Sequence, residues 1–265
     1  MEFKVRVLDF LAIYVKEMRK PENAHKEFDT HKLIKGLLKS LQVAHADKNT
    51  ILFDRIKTVL TLIARGNNSN QAAGSEEAQN KDSKLLITEV MALVLKPTKD
   101  AKMHMAYVDC FISLTKHFSE SNDPKMVKFV SFTYKELLKK FLGGRGASAH
   151  SLNQQFFTRI FEECNYKLGS SLMKPLLRYL LPNVSGSSAT EDKLVDSELS
   201  VGGGDDKANK LQARSNHQRL LAIEIFNSLV KSSQKNAQLM LALSNSIDLI
   251  SGVLVTLLKT SDSWQ

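Results

Sequence analysis

Cysteine is nearly absent: the 265 residues hold only Cys110 and Cys164. Two thiols cannot staple a chain of this length, which points to a reducing compartment. Glycine (12) and proline (5) are too scarce for a β protein with many tight turns. No apolar run reaches the roughly 18 residues that span a bilayer, so no membrane role is expected. The Met1-Glu2-Phe3-Lys4 start lacks the basic-apolar-small order of a secretory signal.

Catalytic patterns are missing as well. There is no phosphate-binding Gly-x-x-x-x-Gly-Lys-Ser/Thr loop, and no Gly-x-Gly-x-x-Gly follows a strand. Gly143-Gly144-Arg145-Gly146 reads as a helix stop with a flexible basic loop rather than a phosphate cradle. None of the seven histidines forms a metal-binding His-x-x-x-His pair with a carboxylate partner. Cys110 and His117 lie two helical turns apart, too far for a nucleophile and its base. The acid pairs Glu76-Glu77, Glu191-Asp192 and Asp205-Asp206 fall in polar segments that hold no fixed geometry. Glu162 and Glu163 are adjacent on a helix and diverge by about 100°. The expectation is a chain that is not an enzyme, with no cofactor, no metal and no small-molecule substrate.

What the chain has is an unevenly spread positive charge. The net charge is +9. Residues 1–65, 84–182 and 211–265 are apolar-rich and basic, with net charges of +5, +7 and +2. Residues 66–83 and 183–210 are polar and acidic, at −2 and −3, and read as disordered linkers. A basic folded body of this kind attracts nucleic acid or an acidic protein surface.

The three basic segments read as helix almost throughout. Phe3 to Met18 is apolar around most of its circumference and is expected to be a central, buried helix. At one end of a helical array, such a helix is expected either to fold inward or to face an upstream element. Helices then follow from Thr30 to about Ala44, Asp47 to Arg65, Lys84 to Lys96, and from Thr98. Asp123-Pro124 is a strong helix start, with Asp as cap and Pro in the first turn, and that helix runs to about Leu142. Ser151 to Tyr166 and Ser171 to Leu181 follow, with Pro175 expected to delay the latter to about Lys174. Ala208 to Lys231 and Gln234 to Leu258 form a final pair. About ten helices and no strand pattern predict an all-α fold, an irregular HEAT/armadillo-like α-solenoid with two disordered loops. A compact irregular bundle is the alternative architecture, since no strict repeat of about 40 residues appears.

One helix carries a candidate site. At about 100° per residue, Lys125, Lys128, Lys135 and Lys139 fall within one stripe, opposite Met126, Val130, Tyr134, Leu137 and Phe141. Lys140 and Arg145 extend it. Such a stripe can track phosphates with salt-sensitive, sequence-blind affinity. It is equally the charged outer face that amphipathic surface helices commonly carry.

Two stretches resemble a known family. Val7-Leu8-Asp9-Phe10-Leu11-Ala12-Ile13-Tyr14-Val15-Lys16 is similar to a helix of the Myb-binding protein 1A / DNA polymerase phi family, with Ala12 where the family usually has Glu. Arg214-Ser215-Asn216-His217-Gln218-Arg219-Leu220-Leu221-Ala222 resembles a later helix start there, and Phe156-Phe157-Thr158-Arg159-Ile160-Phe161 fits the region between. The resemblance implies a nucleolar, non-enzymatic helical-repeat scaffold linked to ribosome biogenesis and ribosomal RNA gene transcription. Its implied partners are transcription or ribosome-assembly proteins, and RNA or DNA through the basic helix face. Family members are longer, with an acidic segment and a basic tail that residues 1–265 lack, so activities that reside in those parts do not carry over to this chain. The alternative function is a protein-only solenoid adaptor for transport or assembly, with no nucleic-acid role.

Overall fold

The computed structural model describes residues 2–18, 20, 30–65, 76–98, 100–119, 123–143, 152–164, 166–180 and 216–261. Among them the chain is all-α, with no strand. Eleven helices follow in order: α1 (Glu2–Met18), α2 (Thr30–Ala46), α3 (Thr50–Arg65), α4 (Glu76–Leu95), α5 (Ala101–Ser119) and α6 (Pro124–Gly143), then α7 (Gln154–Glu163), α8 (Tyr166–Leu180), α9 (Asn216–Ser233), α10 (Ala237–Ser244) and α11 (Ile247–Ser261).

Local capping sets many of the boundaries. Asn49, Asp100, Asn153 and Asn236 each accept a backbone N–H of the following first turn through the side-chain oxygen. Asp123 accepts from Lys125 N at 2.8 Å, as the Asp-Pro signal predicts. The turn from α2 to α3 is closed by Asn49 N–H to Ala44 O and Lys48 N–H to His45 O, with Lys48 in the left-handed region at φ 54°.

The helices pack on near neighbours in chain order. α1, α3, α5, α7 and α9 contact one another in succession, as do α2, α4, α6, α8 and α10. Cross-contacts such as α2 with α3, α4 with α5 and α8 with α9 join the two rows. Among the described residues, no extensive contact links helices more than three places apart. Gly169 on α8 permits one close approach, because a Cβ there would lie 3.0 Å from Leu239 Cδ1 and 3.4 Å from Leu229 Cδ1. The core at the middle of the array is aromatic. Phe111 meets Tyr134 edge-on at 5.4 Å, and Phe156 meets Phe157 edge-on at 5.2 Å.

Four expectations are corrected. The Phe3–Met18 helix is not central: only Leu8, Val15 and Met18 are buried, while Phe3 (78%) and Phe10 (71%) are exposed. Among the described residues its one extensive neighbour is α3, so a single stripe is covered whatever the composition of the rest. The segment 66–83 is not linker throughout, because α4 begins at Glu76. Pro175 does not delay its helix; α8 starts at Tyr166 and carries Pro175 in its interior. Leu172, Met173, Leu176 and Leu177 are buried on both sides of the proline, and that packing outweighs the lost hydrogen bond. The last predicted helix is two, α10 and α11, which gives eleven helices instead of ten. The break follows from Asn245 and Ser246, whose N–H groups turn back to Leu241 O and Leu243 O. The segment 183–210 lies outside the described residues. No single described helix is long and apolar enough to cross a membrane; α10 and α11 together have the length and composition but are bent by 59°.

Candidate nucleic-acid interface

The orientation of α6 is fixed from its buried side. Met126, Val130, Tyr134, Leu137, Leu138 and Leu142 are buried, and Phe141 is partly so. Tyr134 is fully enclosed, and its hydroxyl lies 2.6 Å from Thr115 Oγ1 on α5. Thr115 in turn donates to Phe111 O at 2.8 Å. Burial holds the Tyr134 phenol well above its ordinary pKa, so it stays a neutral hydrogen-bonding group. This anchoring decides which way the opposite side of α6 points.

That opposite side is the lysine stripe. Lys125, Lys128, Lys135, Lys139 and Lys140 are all exposed. The first four have no ion-pair partner among the described residues. Arg145, expected to extend the stripe, lies outside the described residues. Sequence periodicity did not reveal that α4 widens the surface. Lys84 Nζ sits 5.7 Å from the centre of the Phe129 ring on α6, and Lys81 is exposed one turn earlier. Nor did it single out Phe132, which is 58% exposed on the basic face itself. Its signal was an apolar residue at an angle shared with lysines. The geometry supplies exposed cations on a rigid support, without ion-pair partners among the described residues.

A second charged feature lies in a cleft of about 540 Å³ between α3, α5 and α7. Asp109 on α5 takes Lys57 Nζ of α3 at 2.7 Å and Arg159 Nη1 of α7 at 2.7 Å. Arg159 also donates through Nε and Nη2 to Glu163 Oε1, at 3.1 and 2.9 Å. Burial by itself would lower the Arg159 pKa; its pairing with Glu163 and Asp109 outweighs that and raises it. These charges compensate one another and bridge three helices, so the cleft reads as a structural joint. The sequence signal was a lone acid inside the buried run Ala106–Leu114 and a lone arginine among Phe156, Phe157, Ile160 and Phe161.

Both thiols are buried. Burial, with Asp109 adding, pushes Cys110 up to about 12. Among the described residues, no group of three or more His, Cys, Asp or Glu is placed to hold a metal ion. No family model, curated protein or solved structure matches the chain.

Proposed function

We propose that the chain is a non-enzymatic helical scaffold that contacts nucleic acid through the α6 lysine face and protein partners elsewhere. In this reading it is a nucleolar protein of the Myb-binding protein 1A / DNA polymerase phi kind. It acts in ribosome biogenesis and in regulating ribosomal RNA gene transcription. The observation that carries the nucleic-acid part is the row of four exposed lysines without ion-pair partners among the described residues. The nucleolar part is supported by the resemblance of Val7–Lys16 and Arg214–Ala222 to that family. The near-neighbour order of helix contacts supports an irregular HEAT/armadillo-like solenoid, in which each element packs only on those beside it.

The test is a fluorescence-anisotropy titration of the chain against random RNA and duplex DNA at two salt concentrations. Four phosphate contacts predict a log–log salt slope of about −3 to −4 on duplex DNA. Lys128→Glu with Lys135→Glu is expected to abolish most of the binding. No binding at low salt, or binding indifferent to that double reversal, overturns the reading.

The protein-only adaptor is favoured by one observation, the apolar outer surface of α1, where Phe3, Val7, Phe10 and Ile13 face solvent. It predicts a partner protein that co-purifies without nucleic acid and is released by Phe10→Ser.

A further inference from the structure

We infer that the α6 face is built for single-stranded polynucleotide, with Phe132 as a stacking platform for a base between lysines that hold the flanking phosphates. This rests on the lysine face being the phosphate-contacting surface proposed above, and adds which form of nucleic acid it takes. Phe132 is a large apolar side chain facing water on a helix whose opposite side supplies the core. It makes no ring contact among the described residues. Its sequence neighbour in exposure, Phe129, is partly buried against the core and has Lys84 beside its ring. Phe132 has neither cover.

Its setting is cationic on both sides. Lys128 precedes it by four residues and Lys135 follows by three, so they stand about 6 Å and about 4.5 Å away along the helix axis. Lys125 and Lys139 lie seven residues to either side, on the same face, and the whole row spans about 21 Å. A single strand offers negative phosphates alternating with bases whose flat faces are free to stack. An aromatic ring between cations matches that alternation, and tolerates any base because every base has a π face. A duplex presents phosphates but keeps its base faces closed, so Phe132 has nothing to stack on. An acidic peptide likewise answers the lysines and leaves the ring unused. A single strand answers the charge and the ring together.

The chain is titrated by anisotropy with oligouridylate, oligothymidylate and a duplex of matched length, as wild type, Phe132→Ala, Phe132→Tyr and Lys128→Glu/Lys135→Glu. Phe132→Ala is expected to weaken single-strand binding by at least about fivefold, as loss of one stacked base does, and to leave duplex binding unchanged. Phe132→Tyr, which keeps the ring, is expected to bind as the wild type does. A single strand carrying 2-aminopurine should change fluorescence on binding wild type and not on binding Phe132→Ala, which reports the stack directly. The better bound of the two homopolymers distinguishes RNA from DNA as the ligand. Phe132 is exposed, so the alanine variant keeps its fold, which its thermal midpoint verifies. If Phe132→Ala binds single strands as tightly as wild type while the lysine reversal abolishes binding, the stacking role is overturned and the lysine face stands. If no polynucleotide binds at low salt, both are overturned.

Discussion

Tyr134 and Phe132 stand two residues apart on α6 and face opposite ways: the first is wholly enclosed and hydrogen-bonded to Thr115, the second stands in water among lysines. The buried member sets the orientation of the exposed one. Tyr134→Phe removes the hydroxyl but leaves Thr115 bonded to Phe111 O, so the expected loss of stability is about 1 kcal/mol. Tyr134→Ala opens a cavity inside the aromatic cluster and is expected to cost about 3–5 kcal/mol. Urea denaturation checks both. Polynucleotide affinity should be unchanged in the phenylalanine variant, where α6 keeps its rotation.

Arg159→Ala leaves Asp109, whose side chain is 17% exposed, with Lys57 alone. The expected destabilisation is about 2 kcal/mol, below that of a fully buried pair because water still reaches the site. Arg159→Lys is expected to recover only part, since one ammonium cannot serve Asp109 and Glu163 with the guanidinium's fixed fork. A double-mutant cycle with Asp109→Asn measures the coupling.

His104 on α5 donates through Nε2 to Val94 O, one of the last carbonyls of α4, at 3.2 Å. Burial lowers its pKa, outweighing the opposing effect of that hydrogen bond. The unfolded chain therefore takes up this proton at higher pH than the folded one. Its contribution to stability is full above the ordinary histidine value near 6.5 and is lost as pH falls through it towards the lower folded value. Thermal midpoints between about pH 7.5 and 5 should drop for the wild type and drop less for His104→Gln.

The features legible in the sequence are those decided within a few residues. The α6 start at Asp123-Pro124 is a capping interaction, and the lysine stripe is a matter of angular spacing, so both could be read directly. What depends on distant partners was not legible. α1 looks like a core helix by composition, yet burial is set by how many neighbours reach it. Pro175 obeys the packing of α8 rather than its own preference. Asp109 and Arg159 are fifty residues apart, and a lone charge in an apolar run announces that it has a partner without saying which. Phe132 was not singled out, because its exposure depends on no described neighbouring helix covering that face.

The near-neighbour packing of the helices also shapes how the molecule comes apart. Since, among the described residues, no extensive contact joins elements more than three places apart, folding does not have to bring α1 and α11 together, and its longest closure is the one that seats α9 on α7 and α8. Opening can then begin at an edge and spread inward in steps, giving a gradient of amide-exchange protection instead of one cooperative transition. α1, packed mainly on α3, stands at the labile end of that gradient. α6 sits beside the aromatic cluster at its protected centre, so the surface carrying Lys128 and Phe132 stays intact while the edges breathe.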